Sequence, residues 1–331
     1  MKAIKNFIDQ FESAQQEMFK GNYVKAILKI NNFLNEMSSY ENIIPSEILV
    51  EGKTKALLCL ADSYLRTRNE DQALILYNKL DELLDEEDSR WSLLQERFFQ
   101  IYFNKQDSKC LSIASKYLSV AEKHFRADRA NYSNCEMLLQ SLVFYCRALY
   151  ISKADSNTIE NNIDRTKRFY SQIQEDYRDN KQIILTYSYL LEFEGEYYQE
   201  LERVVDAEKS LKARLDICEF LSGIDPDDFN TLRNYAKSNE DIGYFYLSNE
   251  SYEKAKDYII DAITIISKWN DSKEKQYRLA NMYLAECLAI KEINKTDILK
   301  CVNNHKKEIM AFAFVTNEDK QLYINELDKV I

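Results

Sequence analysis

Near residue 250 the chain shows two short blocks in which apolar or small residues return every three or four positions. Ile242, Phe245 and Tyr246 mark the first block; Ala255, Ile259 and Ala262 mark the second. Residues at that spacing share one face of an α-helix, so the pattern predicts two amphipathic helices joined by a short turn. Related blocks recur along the chain, as in Ala56-Leu57-Leu58-Cys59-Leu60-Ala61 and over 207–221. Small residues hold fixed places within them, which is what two helices need where they cross closely.

Composition sharpens this to an all-α chain. Its 331 residues include five Gly and two Pro, where average usage would give about 23 and about 16. Sheets and barrels need many turns with positive φ, and this chain lacks the residues for them.

The segment Ile242-Gly243-Tyr244-Phe245-Tyr246, followed by Ser251-Tyr252-Glu253-Lys254-Ala255, Ile259 and Ala262, resembles the tetratricopeptide (TPR) repeat. That unit pairs a helix A with a helix B. With Ala255 at repeat position 20, Ile242 falls at 7, Gly243 at 8, Tyr246 at 11, Tyr252 at 17, Ile259 at 24 and Ala262 at 27; Asn239 departs at 4. A second unit has Leu57, Leu60, Ala61, Tyr64, Ala73, Tyr77 and, departing at 27, Leu80. A third has Gly195, Tyr198, Ala207 and Leu211, with departures at Glu194 and Arg214. The N-terminal unit shows its second half well, with Gly21, Tyr23 and Ala26, and two weaker units centre on Ala114 and on Ile159 with Tyr150. Both prolines, Pro45 and Pro226, lie 19 residues beyond a position-20 alanine. Proline breaks a helix interior, so both mark the same inter-repeat loop.

The resemblance implies a single right-handed α-solenoid of antiparallel helix pairs over 1–331. It has six to seven repeats of 41–48 residues, longer than the usual 34. Approximate units are 7–45, 54–88, 95–130, 138–178, 182–225, 231–270 and 276–312, with a capping helix over 317–331. The motif residues themselves are packing residues, so they predict fold and not function.

In peptide-binding members of the family, helix A lines the concave groove, chiefly at positions 2, 5, 6, 9, 12 and 13. Carried onto this chain, those positions and their neighbours nominate Phe99, Phe103, Phe144, Tyr145, Tyr189 and Phe193 as an aromatic wall. Glu192, Glu196 and Glu240, with Tyr244, form an acidic end. Such a groove suits an apolar protein or peptide segment carrying basic residues. The chaperone-binding carboxylate clamp fits poorly, because position 9 holds no Asn and the groove cations Lys55, Arg66 and Lys237 are isolated.

Other classes find less support. The formal net charge is −11 without a Lys/Arg block, against nucleic-acid binding. No run of about 18 apolar residues would span a membrane, and charge interrupts the first ten residues, so the expected location is the cytoplasm. Seven Cys form no C-x-x-C pair; they read as buried small hydrophobes, with no histidine partner, metal site or cofactor expected. His124 and His305 lack the spacing of a catalytic base, and no phosphate-binding Gly loop occurs. The expectation is a non-catalytic binding scaffold or adaptor. The alternatives are a peptide- or ligand-sensing regulator and a structural subunit, with homodimerisation through the terminal helices.

Overall fold

A computed structural model describes residues 2–20 and 22–331, and each predicted amphipathic block forms a helix. The first pairs are α1 (Lys2–Phe19) with α2 (Tyr23–Glu36), and α3 (Ser46–Arg66) with α4 (Glu70–Asp81). Next come α5 (Ser89–Asn104) with α6 (Lys109–Ala127), followed in sequence by α7 (Tyr132–Ile151) and α8 (Ser156–Ile173). Then follow α9 (Lys181–Glu200) with α10 (Val204–Ile224), and α11 (Phe229–Ser248) with α12 (Tyr252–Ser267). The last pair is α13 (Lys273–Ile293) with α14 (Ile298–Ala311), and α15 (Asn317–Val330) follows it. Among the described residues there is no strand; the fold is an all-α solenoid of helix pairs.

The chain divides within α8 into two compact units, Met1–Asn162 and Ile163–Ile331. In the first, α2 packs on α1 and α3, α4 on α3 and α5, and α6 on α5 and α7. In the second, α10 packs on α9 and α11, α12 on α11 and α13, and α15 lies against both α13 and α14. The position-20 residues Ala26, Ala73, Ala114, Ala207 and Ala255 are all fully buried. Gly195 and Gly243 sit opposite Leu211 and Ile259; a Cβ at either would lie 2.7 Å or 2.9 Å from those side chains. Smallness at these places is therefore a packing requirement.

Local chemistry sets where each first helix begins. Side chains of Asp88, Asn131, Asn180, Asp228 and Ser272 accept backbone N–H groups at the starts of α5, α7, α9, α11 and α13, satisfying donors that the helix leaves open. Pro45 precedes α3 and Pro226 lies between α10 and α11, as their common phase predicts.

Each first helix from α3 to α11 ends in the same way. Arg68, Gln106, Lys153, Glu202 and Glu250 adopt positive φ, between 53° and 61°. The next residue in each case donates its N–H to a carbonyl five residues back, as Asn69 does to Tyr64 (2.8 Å) and Ser251 to Tyr246 (2.9 Å). These are Schellman caps, a turn that glycine usually fills. Gly21, the glycine expected at this place in the first pair, lies outside the described residues. Replacing Glu250 with Gly relieves left-handed strain of about 1–2 kcal/mol against a glycine entropy cost of about 0.5–1 kcal/mol. It also removes an acid from a helix C-terminus. We expect a gain of about 0.5–1 kcal/mol, seen as a higher urea midpoint at unchanged slope; a lower midpoint would show that the left-handed turn is unstrained.

The caps also correct the register. Aligned on the positive-φ residue, α5 is displaced by three residues and α7 by one from the phase set by Ala114 and Ile159. Phe99 thus takes the small-residue position that Ala61, Gly195 and Gly243 hold elsewhere, and Tyr145 takes a core position.

Candidate functional site

The displaced register decides where the aromatic wall lies. Phe99 is buried, and its ring stacks on Phe144 (centroids 4.3 Å apart, 6° between planes) and on Phe103 (5.5 Å, 24°). Cys110, Ala114 and Ala148 pack against the stack, with Tyr145 at its edge. Phe103, Phe144 and Tyr145 are half-buried, and the Arg147 guanidinium lies over the Phe103 ring, 5.8 Å from its centroid. Phe99 therefore welds α5 to α7 and offers nothing to a ligand. The exposed edges belong to the other three.

A feature absent from the sequence expectation lies beside this stack. Asp62, Leu65 and Arg66 of α3, Glu70 of α4, and Arg97, Gln100, Ile101 and Asn104 of α5 line a cleft of about 370 Å³. In the register set by the caps, Asp62, Leu65, Arg66, Arg97, Gln100 and Asn104 all occupy groove positions of two consecutive first helices. Asp62 accepts from the Tyr77 hydroxyl (2.6 Å) and from Arg97 Nε (3.2 Å). Glu70 pairs with Lys105 Nζ at 3.5 Å. Arg66 is exposed and makes no ion pair among the described residues.

In the second unit two members of the acidic end, Glu192 and Glu240, are already neutralised. Glu192 is buried and pairs with Lys237 and with Arg214 Nη2 (3.3 Å). Asp241 pairs with Arg214 and with Lys237 Nζ (3.1 Å). Arg214, at 0% exposure, is the departure at position 27, and Lys237 is the groove cation that looked isolated. Burial works against both cations, yet Glu192 and Asp241 outweigh it and hold their pKa values above the ordinary ones. Glu240 receives both bonds from Arg278 Nη1 (2.9 and 2.8 Å), while burial still pushes its carboxyl upward. The other polar departures from the consensus are also buried with partners: Glu194 pairs with Lys167, and Asn239 Nδ2 donates to the Tyr235 carbonyl (3.0 Å). Of the remaining candidates, Phe193 is buried, Tyr189 half-buried, and Glu196 and Tyr244 exposed.

Two of the cysteines lie beside a histidine, contrary to their reading as isolated thiols. Cys301 and His305 lie one turn apart on α14, and Cys287 of α13 brings its Sγ to 3.3 Å from Cys301 Sγ. Donor atoms of the three side chains all fall within 4.8 Å of one another. The cysteine–histidine spacing was present in the sequence; the third member comes only with the packing of α13 on α14.

No protein-family model matches the chain, and no curated protein matches it in sequence. Among solved structures it is similar to Nro1, described as a hypoxic regulator of sterol synthesis and a nuclear import adaptor (12% identity, TM-score 0.46, covering 97% of this chain and 92% of that one). It is also similar to yeast Tom70 (11% identity, TM-score 0.19, covering 98% and 96%). Similarities this low carry no inference about what the chain binds. No helix among the described residues is long and apolar enough to cross a membrane.

Proposed function

We propose that the chain is a non-catalytic adaptor that holds a segment of another protein against its first-helix faces, with the cleft between α3 and α5 as the anchor in the first unit. The observation supporting this is the origin of the cleft's lining: groove positions of two consecutive first helices converge on one polar recess. Half-buried Phe103, Phe144 and Tyr145 continue the first unit's surface, and Tyr189, Glu196 and Tyr244 supply that of the second. Amide groups of Gln100 and Asn104 suit the backbone of an extended segment, which presents alternating donors and acceptors.

Charge selects the occupant. Arg66 is the cation of the cleft that lacks an internal partner, so it favours a segment bearing a carboxylate. This reverses the expectation of a basic segment: Glu192 and Glu240, its intended receptors, are bound to Lys237, Arg214 and Arg278. A basic ligand would have to displace those cations.

The test is affinity capture from the source cell with the immobilised full chain, in parallel with an Arg66→Glu/Gln100→Ala variant of unchanged helix content. Reversing one charge and removing one amide is expected to lower capture of the same partner at least about tenfold, and raised salt to weaken wild-type capture. Equal capture by the variant places the interface elsewhere.

A further inference from the structure

The group formed by Cys287, Cys301 and His305 takes no part in the groove. Among the described residues it is the one set of three such side chains whose donor atoms lie within 4.8 Å of one another. Cys287 is buried, while Cys301 and His305 are half-buried, so the group is shielded on one side and reachable on the other.

The imidazole is held at both its edge and its face. His305 Nε2 lies 3.0 Å from Glu286 Oε2, and the ring stacks on Tyr283 with centroids 4.1 Å apart and 9° between planes. With Nε2 engaged by a carboxylate, Nδ1 is the nitrogen left for another partner. A carboxylate on the far nitrogen is the arrangement that orients metal-ligating histidines and raises their basicity.

The sulfur spacing fits a cation between the thiols. Tetrahedral zinc with Zn–S bonds of about 2.3 Å sets two thiolates about 3.8 Å apart. The observed 3.3 Å needs an opening of roughly 0.5 Å to admit such an ion. Two sulfurs and one imidazole are soft and borderline donors, which select zinc-like ions over magnesium or calcium.

We propose that Cys287, Cys301 and His305 bind one zinc ion, with Glu286 fixing the imidazole and water filling the fourth position. Each thiol loses its proton to solvent as its sulfur binds, and the neutral imidazole contributes Nδ1, so one dication enters as two protons leave. The ion would tie α13 to α14.

The test uses the reduced, metal-free full chain and cobalt(II) as a coloured stand-in, later displaced by zinc. One equivalent of cobalt should produce thiolate-to-cobalt charge-transfer absorption and tetrahedral visible bands, and one equivalent of zinc should bleach both and raise the melting temperature. The Cys287→Ser/Cys301→Ser double variant should abolish the charge-transfer band, Glu286→Gln should weaken zinc about 10- to 100-fold, and Cys218→Ser, a buried thiol away from the site, should change neither. Absence of the band in wild-type protein, or its survival in the double variant, overturns the proposal. So does a Cys287–Cys301 disulfide in a protein whose reduced form takes up no zinc, which would make the pair a redox switch.

Discussion

Replacing Arg214 with alanine is expected to destabilise the second unit by about 3–5 kcal/mol, the range found when one partner of a buried ion pair is removed. The guanidinium is fully buried between Glu192 and Asp241. Without it, two carboxylates are left to share Lys237, and the buried Glu192 loses one of its two cations. For a unit of this size the melting temperature should fall on the order of 10 °C. Exposed pairs on this chain, such as Lys123 with Glu87, should by contrast be worth less than about 1 kcal/mol. A double-mutant cycle of Arg214→Ala with Asp241→Ala then isolates the coupling. A single-variant loss below about 1 kcal/mol would mean that the quartet is solvated and its burial unimportant. The network also has a pH signature. Lys237 has its folded pKa above the unfolded 10.5, so its contribution is fully present below that value. It is lost as pH rises through the higher folded pKa. Alkaline titration should therefore unfold wild type above pH 10.5 more steeply than a Lys237→Met variant, while mild acid leaves this contribution intact.

A valine at Gly195 is expected to cost about 3 kcal/mol or more, since its first carbon alone would lie 2.7 Å from both Cγ and Cδ2 of Leu211. Two further methyl groups and a β-branched side chain in mid-helix add to the strain. Gly223, on the partner helix α10, has nothing within 4 Å of an added Cβ. Alanine there should instead stabilise by up to about 1 kcal/mol through helix propensity. Opposite signs at two glycines of one helix pair, read as shifts in denaturation midpoint, separate packing from propensity. The same sign at both would mean that α9 and α10 can move apart to admit the side chain.

The fold was legible because close helix crossings tolerate few residue types. Ala73, Ala207 and Ala255 are small for a steric reason, and proline is confined to loops for an electronic and steric one, so both leave marks in the sequence. The candidate site was less legible, for two physical reasons. Left-handed turns normally announce themselves as glycine, but Gln106 and Lys153 fill them here; the phase of α5 and α7 was hidden, and with it the burial of Phe99 and the grouping of Arg97, Gln100 and Asn104. Charges also read as solvated or available until their partners are known. Arg214 looked like a lapse from the repeat pattern, whereas it is the counter-ion that takes Glu192 and Asp241 out of play. Cys301 and His305 were readable as neighbours on a helix, while Cys287, fourteen residues earlier, needed the packing of α13 on α14.

The quartet of Glu192, Arg214, Lys237 and Asp241 draws on α9, α10 and α11, and so crosses from one helix pair into the next. In an ideal repeat array, stability is a sum of unit and nearest-neighbour terms, and units can be exchanged like beads. Here the neighbour contribution rests on four mutually dependent charges. Excising α9–α10, or grafting a consensus pair in its place, would leave Lys237 and Asp241 without Arg214 and Glu192. The smallest exchangeable module at this point in the chain is therefore three helices wide, not two.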